Sequence, residues 1–224
     1  MDGALYKQTR FWENCEKRIF DGVRGYGIPQ IKGVRAVGEI DDFIGWNYAR
    51  SCKEPENKAV HFFVDDYQFV RLWTQPDTYL SMLSKFKYVL APDFSTYTDF
   101  PKALQIYNHY RKHWLGAYFQ ENGINIVPTV SWADEDSFEW CFDGEPCNSV
   151  VAISSVGCMK DARSKRLFLN GYNEMIERLQ PSEIIFYGAV PNECTGNIIR
   201  IKPFQEKWRK AVCDGRKRSV ERVF

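Results

Sequence analysis

Short runs of β-branched and aromatic residues recur along the chain at 60–64, 88–90, 124–130, 150–153 and 184–187, each closed by a polar, Gly-bearing or Pro-bearing turn. Most of these runs are continuously apolar rather than alternating, the pattern of strands buried on both faces of a parallel sheet. The intervening segments have helical period. Thr74-Gln75-Pro76-Asp77 opens one helix that carries Tyr79, Leu80, Leu83 and Phe86. Asp99-Phe100-Pro101 opens a longer one through Leu104, Ile106, Tyr107, Tyr110, Trp114 and Tyr118, which stops at Asn122-Gly123. A third spans about 164–179, with Phe168, Gly171, Tyr172, Met175, Ile176 and Leu179 on its apolar stripe and Pro181 beyond its end.

Strands alternating with helices at this spacing form βαβ units, which predicts a parallel sheet with right-handed crossovers. Weaker strands at 34–37 and 197–201 bring the number to seven, which points to a compact or incomplete β/α (TIM-like) barrel. A full eight-fold barrel typically needs about 250 residues. A doubly wound open sheet is the alternative. The expected organisation is a single α/β domain over 1–224. It has an irregular N-terminal segment (1–55) ending in a helix capped by Asp41-Asp42, a β/α core (56–197) and a basic C-terminal segment (198–224) read as a helix. No GxGxxG follows a strand and no GxxxxGK[ST] occurs, so the usual dinucleotide and P-loop markers are missing.

Composition narrows the class. The 224 residues are 44% hydrophobic and 16% aromatic, which excludes intrinsic disorder. The apolar runs are far shorter than the roughly 18 residues a membrane-spanning helix needs, and the charged N-terminus has no signal-peptide core, so a cytoplasmic protein without a membrane partner is expected. The seven cysteines contain no CxxC pair, and reduced thiols are the expectation. The net charge of +1 hides a division. Residues 198–224 hold nine basic and three acidic side chains, a balance of +6, and the remainder carries −5. Lys207, Arg209, Lys210, Arg216, Lys217 and Arg218, interleaved with Phe204 and Trp208, suit a polyanion, so a nucleic-acid partner, DNA first, is expected there.

In parallel β/α folds the carboxyl ends of the strands converge on one face. Reading those ends in order gives Asp65, Asp66, Tyr67 and Gln68, then Asp93 and Ser95, then Ser131 and Trp132, then Ser154 and Ser155, then Tyr187. Asp93 is the sharpest candidate because Pro92 before it fixes the backbone. Asp65 and Asp66 cannot both point the same way from an extended strand, and Asp66 is preferred for the site. Trp132 or Tyr67 would stack on a planar ligand; Gln68, Ser95, Ser154, Ser155 and Tyr187 would bind substrate polar groups. His61 reads as a structural residue at the start of its strand, away from the mouth. His109 and His113 lie i, i+4 on a helix, but no carboxylate stands at a third-ligand spacing beside them, so no metal and no cofactor are expected.

The succession HFFVDDYQF (61–69), PDFS (92–95), GINIVPTVSW (123–132), FDGEPCNSVVAISSVG (142–157) and IIFYG (184–188) resembles an uncharacterised domain-of-unknown-function family of bacteria, their phages and mobile elements. That resemblance runs from about residue 26 to 188 and implies a setting without a reaction. More distantly, the order of strand-end signatures is similar to the β/α barrels of the tRNA-guanine transglycosylase superfamily, where Asp carboxylates at strand ends act on an N-glycosidic bond. The similarity implies that Asp66 matches the first-strand Asp and Asp93 the Asp of the second turn. The chain departs from that family in lacking its four-ligand zinc site, and it has Asp65-Asp66-Tyr67 in place of Asp-Ser-Gly. The resulting expectation is a metal-independent, carboxylate-assisted base glycosylase acting on phage or modified nucleic acid. A non-enzymatic nucleic-acid-binding or adaptor protein is the alternative. A Mg-dependent nuclease or phosphoesterase built on Asp65, Asp66 and Asp93 is the second alternative.

Overall fold

The computed structural model describes residues 12–203 and the backbone of 220–223. Strands β1 (Asp42–Gly45), β2 (Lys58–His61), β3 (Tyr88–Leu90) and β4 (Ile126–Val127) form one parallel sheet in chain order. A second sheet holds β5 (Val150–Ser154), β6 (Glu183–Tyr187) and β7 (Ile198–Ile201), also parallel and in order, with β8 (Val220–Val223) antiparallel on its edge. A parallel bridge between Thr129 and Ala152 joins the two sheets. Among the described residues no ladder joins β1 to β7 or β8.

Parallel neighbours need crossovers. The short helices α1 (Trp46–Ala49), α2 (Arg71–Thr74) and α3 (Asp77–Leu83) and the long α4 (Lys102–Glu121) and α5 (Ala162–Leu179) supply them. Alternation along each strand explains the unbroken apolar runs. One face sends Phe43, Ala59, Leu90, Val127, Ala152, Ile185 and Ile199 into a cluster shared by all seven parallel strands. The other face sends Val60, Val89 and Ile126 against Leu72, Trp114 and Phe119 of the helix layer. Likewise Val151, Ile153, Ile184 and Phe186 meet Phe168, Tyr172 and Met175 of α5.

Several expectations are corrected. The helix expected after Asp41-Asp42 is strand β1, because Phe43 enters the shared cluster and the backbone pairs with β2 from Asp42↔Lys58 to Gly45↔His61. Tertiary pairing outweighs the local capping signal. The run at 34–37 forms no ladder, although Val34 O accepts from Val150 N (2.6 Å) beside β5. β4 is only two residues long, since Pro128 has no N–H to continue the pairing. α5 starts two residues before the expected position, at a cap where the Asp161 carboxylate accepts from Ser164 N (2.8 Å). The weaker strand expected at 197–201 is β7, and within the C-terminal segment read as a helix 220–223 is strand as well. Lys207, Arg209, Lys210, Arg216, Lys217 and Arg218 lie outside the described residues.

Candidate functional site

A cavity of about 370 Å³ opens where β2, β3, β4 and β5 end. Phe62, Phe63, Val64, Asp65 and Gln68 come from the segment after β2, and Asp93, Ser95, Thr96 and Tyr97 from the segment after β3. Ser131 and Trp132 follow β4; Ser154, Val156 and Cys158 follow β5; Phe168 of α5 closes one side. Its walls thus combine aromatic rings with two carboxylates and several hydroxyls, the mixture typical of small-molecule pockets of this size.

Asp93 is the most perturbed acid on the cavity wall. Its Oδ1 is sealed from solvent and has no hydrogen-bond partner among the described residues. Burial pushes its pKa up to about 6; the Lys112 cation opposes that rise, the Asp66 carboxylate adds to it, and the Ser131 hydroxyl opposes it. The turn carrying Asp93 is clamped from two directions. Asp66 accepts from Ser95 N (3.1 Å) and Ser95 Oγ (2.8 Å), and Asn108 Nδ2 donates to Ser95 O (2.6 Å). Arg111 lies over the Phe94 ring at 4.0 Å and donates to Asn108 Oδ1.

Of the predicted site residues, Asp93, Asp65, Gln68, Ser95, Trp132 and Ser154 line this cavity. Asp66 does not: Asp65 is the carboxylate that faces the cavity, and Asp66 positions the neighbouring turn, so the preference between the two is reversed. Backbone geometry explains this, because β2 ends at His61, the chain turns at Val64 and Asp66 begins a 3₁₀ turn, so strand alternation no longer sets which carboxylate faces the mouth. Tyr67 on that turn is 77% exposed and does not line the cavity. Ser155 is turned to Ala189 O (2.7 Å). Tyr187 packs between His61 (4.7 Å) and Phe63 (4.9 Å) and lines a second cavity of about 280 Å³ with Gly45, Asn47, His61 and Lys202. His61 is the last residue of β2, not the first, which places it at the carboxyl face. Trp132 rests on Gly171 of α5, where an added Cβ would lie 2.2 Å from the indole Nε1. Cys158, though on the wall, is held by burial with its thiol pKa raised, so it stays a thiol at neutral pH.

Sequence reasoning missed the polar face of α4. Gln105, Asn108, His109, Lys112 and His113 are all buried, whereas Leu104 on the expected apolar stripe is exposed. The readable signal was a polar stripe at i, i+3, i+4, i+7 and i+8 on a helix whose other faces are also apolar. Lys112 Nζ donates to Thr129 O (2.6 Å) and pairs with Glu145 Oε1 (3.1 Å). Burial works to raise the Glu145 carboxyl, but Lys112 and His113 together hold its pKa below the usual carboxylate value. The expectation that no carboxylate accompanies His109 and His113 is therefore corrected: Glu145, from a loop 32 residues beyond His113, joins them in a buried group. None of the three lines the 370 Å³ cavity.

The architecture is that of a mixed α/β protein with parallel sheets and a polar, aromatic-walled cavity at the strand ends. Residues 20–205 match the family described as Domain of unknown function (DUF4417), and the chain belongs to that family. It is 36% identical over 206 residues to the Gene 1 protein of Mycobacterium phage L5, covering 89% of each chain. It is 35% identical over 203 residues to the Gene 1 protein of Mycobacterium phage D29, covering 88% of this chain and 74% of that one. No solved structure matches. The described helices include none long and apolar enough to cross a membrane.

Proposed function

We propose that this chain is a nucleic-acid-directed enzyme that cleaves the N-glycosidic bond between a base and its sugar, with Asp93 as the acid–base group. The reading rests on one observation above all: a carboxyl on the cavity wall has its pKa raised to about 6, close to the pH at which a general acid or base works best. As the carbon–nitrogen bond breaks, positive charge builds on the sugar. Water adds to the anomeric carbon and gives its proton to one carboxylate, while the bonding electrons leave with the base, which then takes that proton from the carboxyl group so that the carboxylate is regenerated. Asp93 takes the water proton in this scheme, and Asp65 is the second carboxylate on the same wall. Phe63, Tyr97 and Trp132 offer ring faces to an extruded base. The +6 segment at 198–224 contributes phosphate attraction. In the same reading the seven parallel strands are an incomplete β/α barrel with its interior filled by the shared apolar cluster, and the site is its mouth. Relatives in two mycobacteriophages favour phage or host DNA as the polymer.

The test is abasic-site formation on a panel of phage DNAs with differently modified bases, with Asp93→Asn as the control. Abasic sites made by the wild type and lost in Asp93→Asn, with DNA binding unchanged, would support the proposal. DNA binding without abasic sites on any substrate would favour an adaptor. Strand scission without abasic sites would favour a Mg-dependent nuclease using Asp65 and Asp93.

A further inference from the structure

The buried group beneath α4 has the features of a ligand set. His109 and His113 stand one turn apart on the helix, their rings 4.3 Å from centre to centre, and Glu145 reaches them from the following loop. A backbone carbonyl can only accept a hydrogen bond, so the ring nitrogen facing one carries the hydrogen. His109 Nε2 faces Asp143 O (3.0 Å) and His113 Nδ1 faces Pro29 O (2.9 Å). In the neutral rings these two contacts fix both tautomers and leave the lone pairs on His109 Nδ1 and His113 Nε2. Holding the second ring nitrogen in this way is the usual orientation of histidine ligands.

Two acceptors are then left over. His109 Nδ1 and Glu145 Oε2 are buried and have no hydrogen-bond partner among the described residues. His113 Nε2 lies 3.0 Å from Glu145 Oε1, a contact bridged either by a proton on the ring or by a cation that takes its place. The Lys112 ammonium satisfies Oε1 from one side, and its bonds to Oε1 and Thr129 O leave the other two atoms unserved. The loop is shaped for close approach. Gly144 has φ +77°, and a Cβ there would sit 2.4 Å from Pro29 O and 2.7 Å from His113 Nδ1.

We propose that His109, His113 and Glu145 bind one divalent first-row transition ion, of which Zn²⁺ is the reference, in a structural site that ties α4 to the 143–145 loop. The donor atoms lie within 4.8 Å of one another. Tetrahedral bonds of about 2.0–2.1 Å put ligand atoms roughly 3.4 Å apart, so closure needs movements of about an ångström. Two imidazoles and a carboxylate suit Zn²⁺, Co²⁺ or Fe²⁺ better than Mg²⁺ or Ca²⁺, which prefer all-oxygen sets.

The test is metal binding by the full chain. Protein stripped by dialysis against chelator, and shown to be folded by circular dichroism, is titrated with Zn²⁺ against a chromogenic chelator and separately loaded with Co²⁺. One equivalent of tightly held Zn²⁺, lost by more than tenfold in affinity in His109→Asn and in Glu145→Gln, supports the site. If those variants fail to fold, the cobalt spectrum of the wild type decides. Visible bands of tetrahedral cobalt without a near-ultraviolet thiolate band support nitrogen and oxygen ligands. A thiolate band places the ion on cysteine and overturns the proposal. Folded wild type that retains less than about a tenth of an equivalent of Zn²⁺ under conditions where zinc proteins hold theirs also overturns it.

Discussion

Replacing Asp93 by Asn removes a buried charge without changing side-chain size, and the effect on stability can be worked out with its sign. The carboxyl has its pKa raised from 3.8 to about 6, chiefly by burial. Above pH 6 both the folded and the unfolded chain hold Asp93 ionised, and only the folded chain holds it in a site that disfavours the charge. The difference of about 2 pH units corresponds to roughly 3 kcal/mol of destabilisation, fully present above the folded pKa. As pH falls through 6 the folded chain takes up a proton while the unfolded chain stays ionised until near 4, so the wild type regains that stability between pH 6 and 4. Asp93→Asn carries no charge at any pH. It should therefore exceed the wild type at pH 8 by up to about 3 kcal/mol, or roughly 6–12 °C in Tm for a chain of this size, and match it at pH 4. Thermal unfolding followed by far-ultraviolet circular dichroism in steps from pH 4 to 8 reads the difference directly. A variant less stable than the wild type at pH 8, or a gap that does not change with pH, would refute the reasoning and mean that the Lys112 and Ser131 interactions outweigh burial. Greater stability together with lost activity would be the ordinary trade at a working site.

Substitutions at two further positions separate positioning from packing. Asp66→Ala leaves Ser95 N–H and Oγ–H without their acceptor and should lower stability by about 1–3 kcal/mol; Asp66→Asn should spare most of that while lowering the pKa of Asp93, because the Asp66 carboxylate helps to raise it. Carboxylate chemical shifts followed against pH check the second part, and an unmoved Asp93 titration would sink it. Gly171→Ala puts a Cβ 2.2–2.4 Å from three atoms of the Trp132 indole, so about 1–3 kcal/mol should be lost despite the better helix propensity of Ala. Tryptophan fluorescence should report a displaced Trp132, and an unchanged spectrum and Tm would show that the ring is free to move aside.

How much of this was legible in the sequence depends on how far apart the cooperating residues lie. The strands at 88–90, 150–153 and 184–187 were read almost to the residue because double-faced burial demands continuous apolar runs. Asp93 was legible for a related reason, since a polar residue immediately after such a run and a proline must sit at a strand end. Asp65 and Asp66 show the limit: side chains on an extended chain change face at each step, and the point at which the chain leaves the strand decides between them. β1 shows another. Asp41-Asp42 followed by Phe43 satisfies a helix-start rule, and only pairing with β2 reveals a strand. His61 was placed at the wrong end of β2 because the ladder stops there rather than continuing to Val64. Glu145 could not be paired with His113 by spacing at all, because a loop brings it back across 32 residues.

The polar face of α4 explains why so much of the carboxyl side is ordered, and it argues against reading that side as mere surface. Gln105 Nε2 donates to Tyr97 O (3.0 Å) and Phe100 O (2.9 Å), and Asn108 Nδ2 to Ser95 O (2.6 Å). His109 faces Asp143 O, Lys112 reaches Thr129 O, and His113 faces Pro29 O. Five buried polar side chains on one helix thus hold loops from four parts of the chain, each through a backbone carbonyl. Hydrogen bonds of this kind contribute about 1 kcal/mol each against what their loss would cost, and an apolar face of equal volume would stabilise the helix as well or better. What an apolar face cannot do is fix the direction of loop backbone. Lys112 is the member whose charge is felt at both places of chemical interest, lowering the pKa of Asp93 on the cavity wall and pairing with Glu145 beside the two histidines. A neutral residue at position 112 would accordingly push Asp93 further toward its protonated form and leave His113 to hold the buried Glu145 carboxylate without the ammonium, so the two centres are coupled through one charged group.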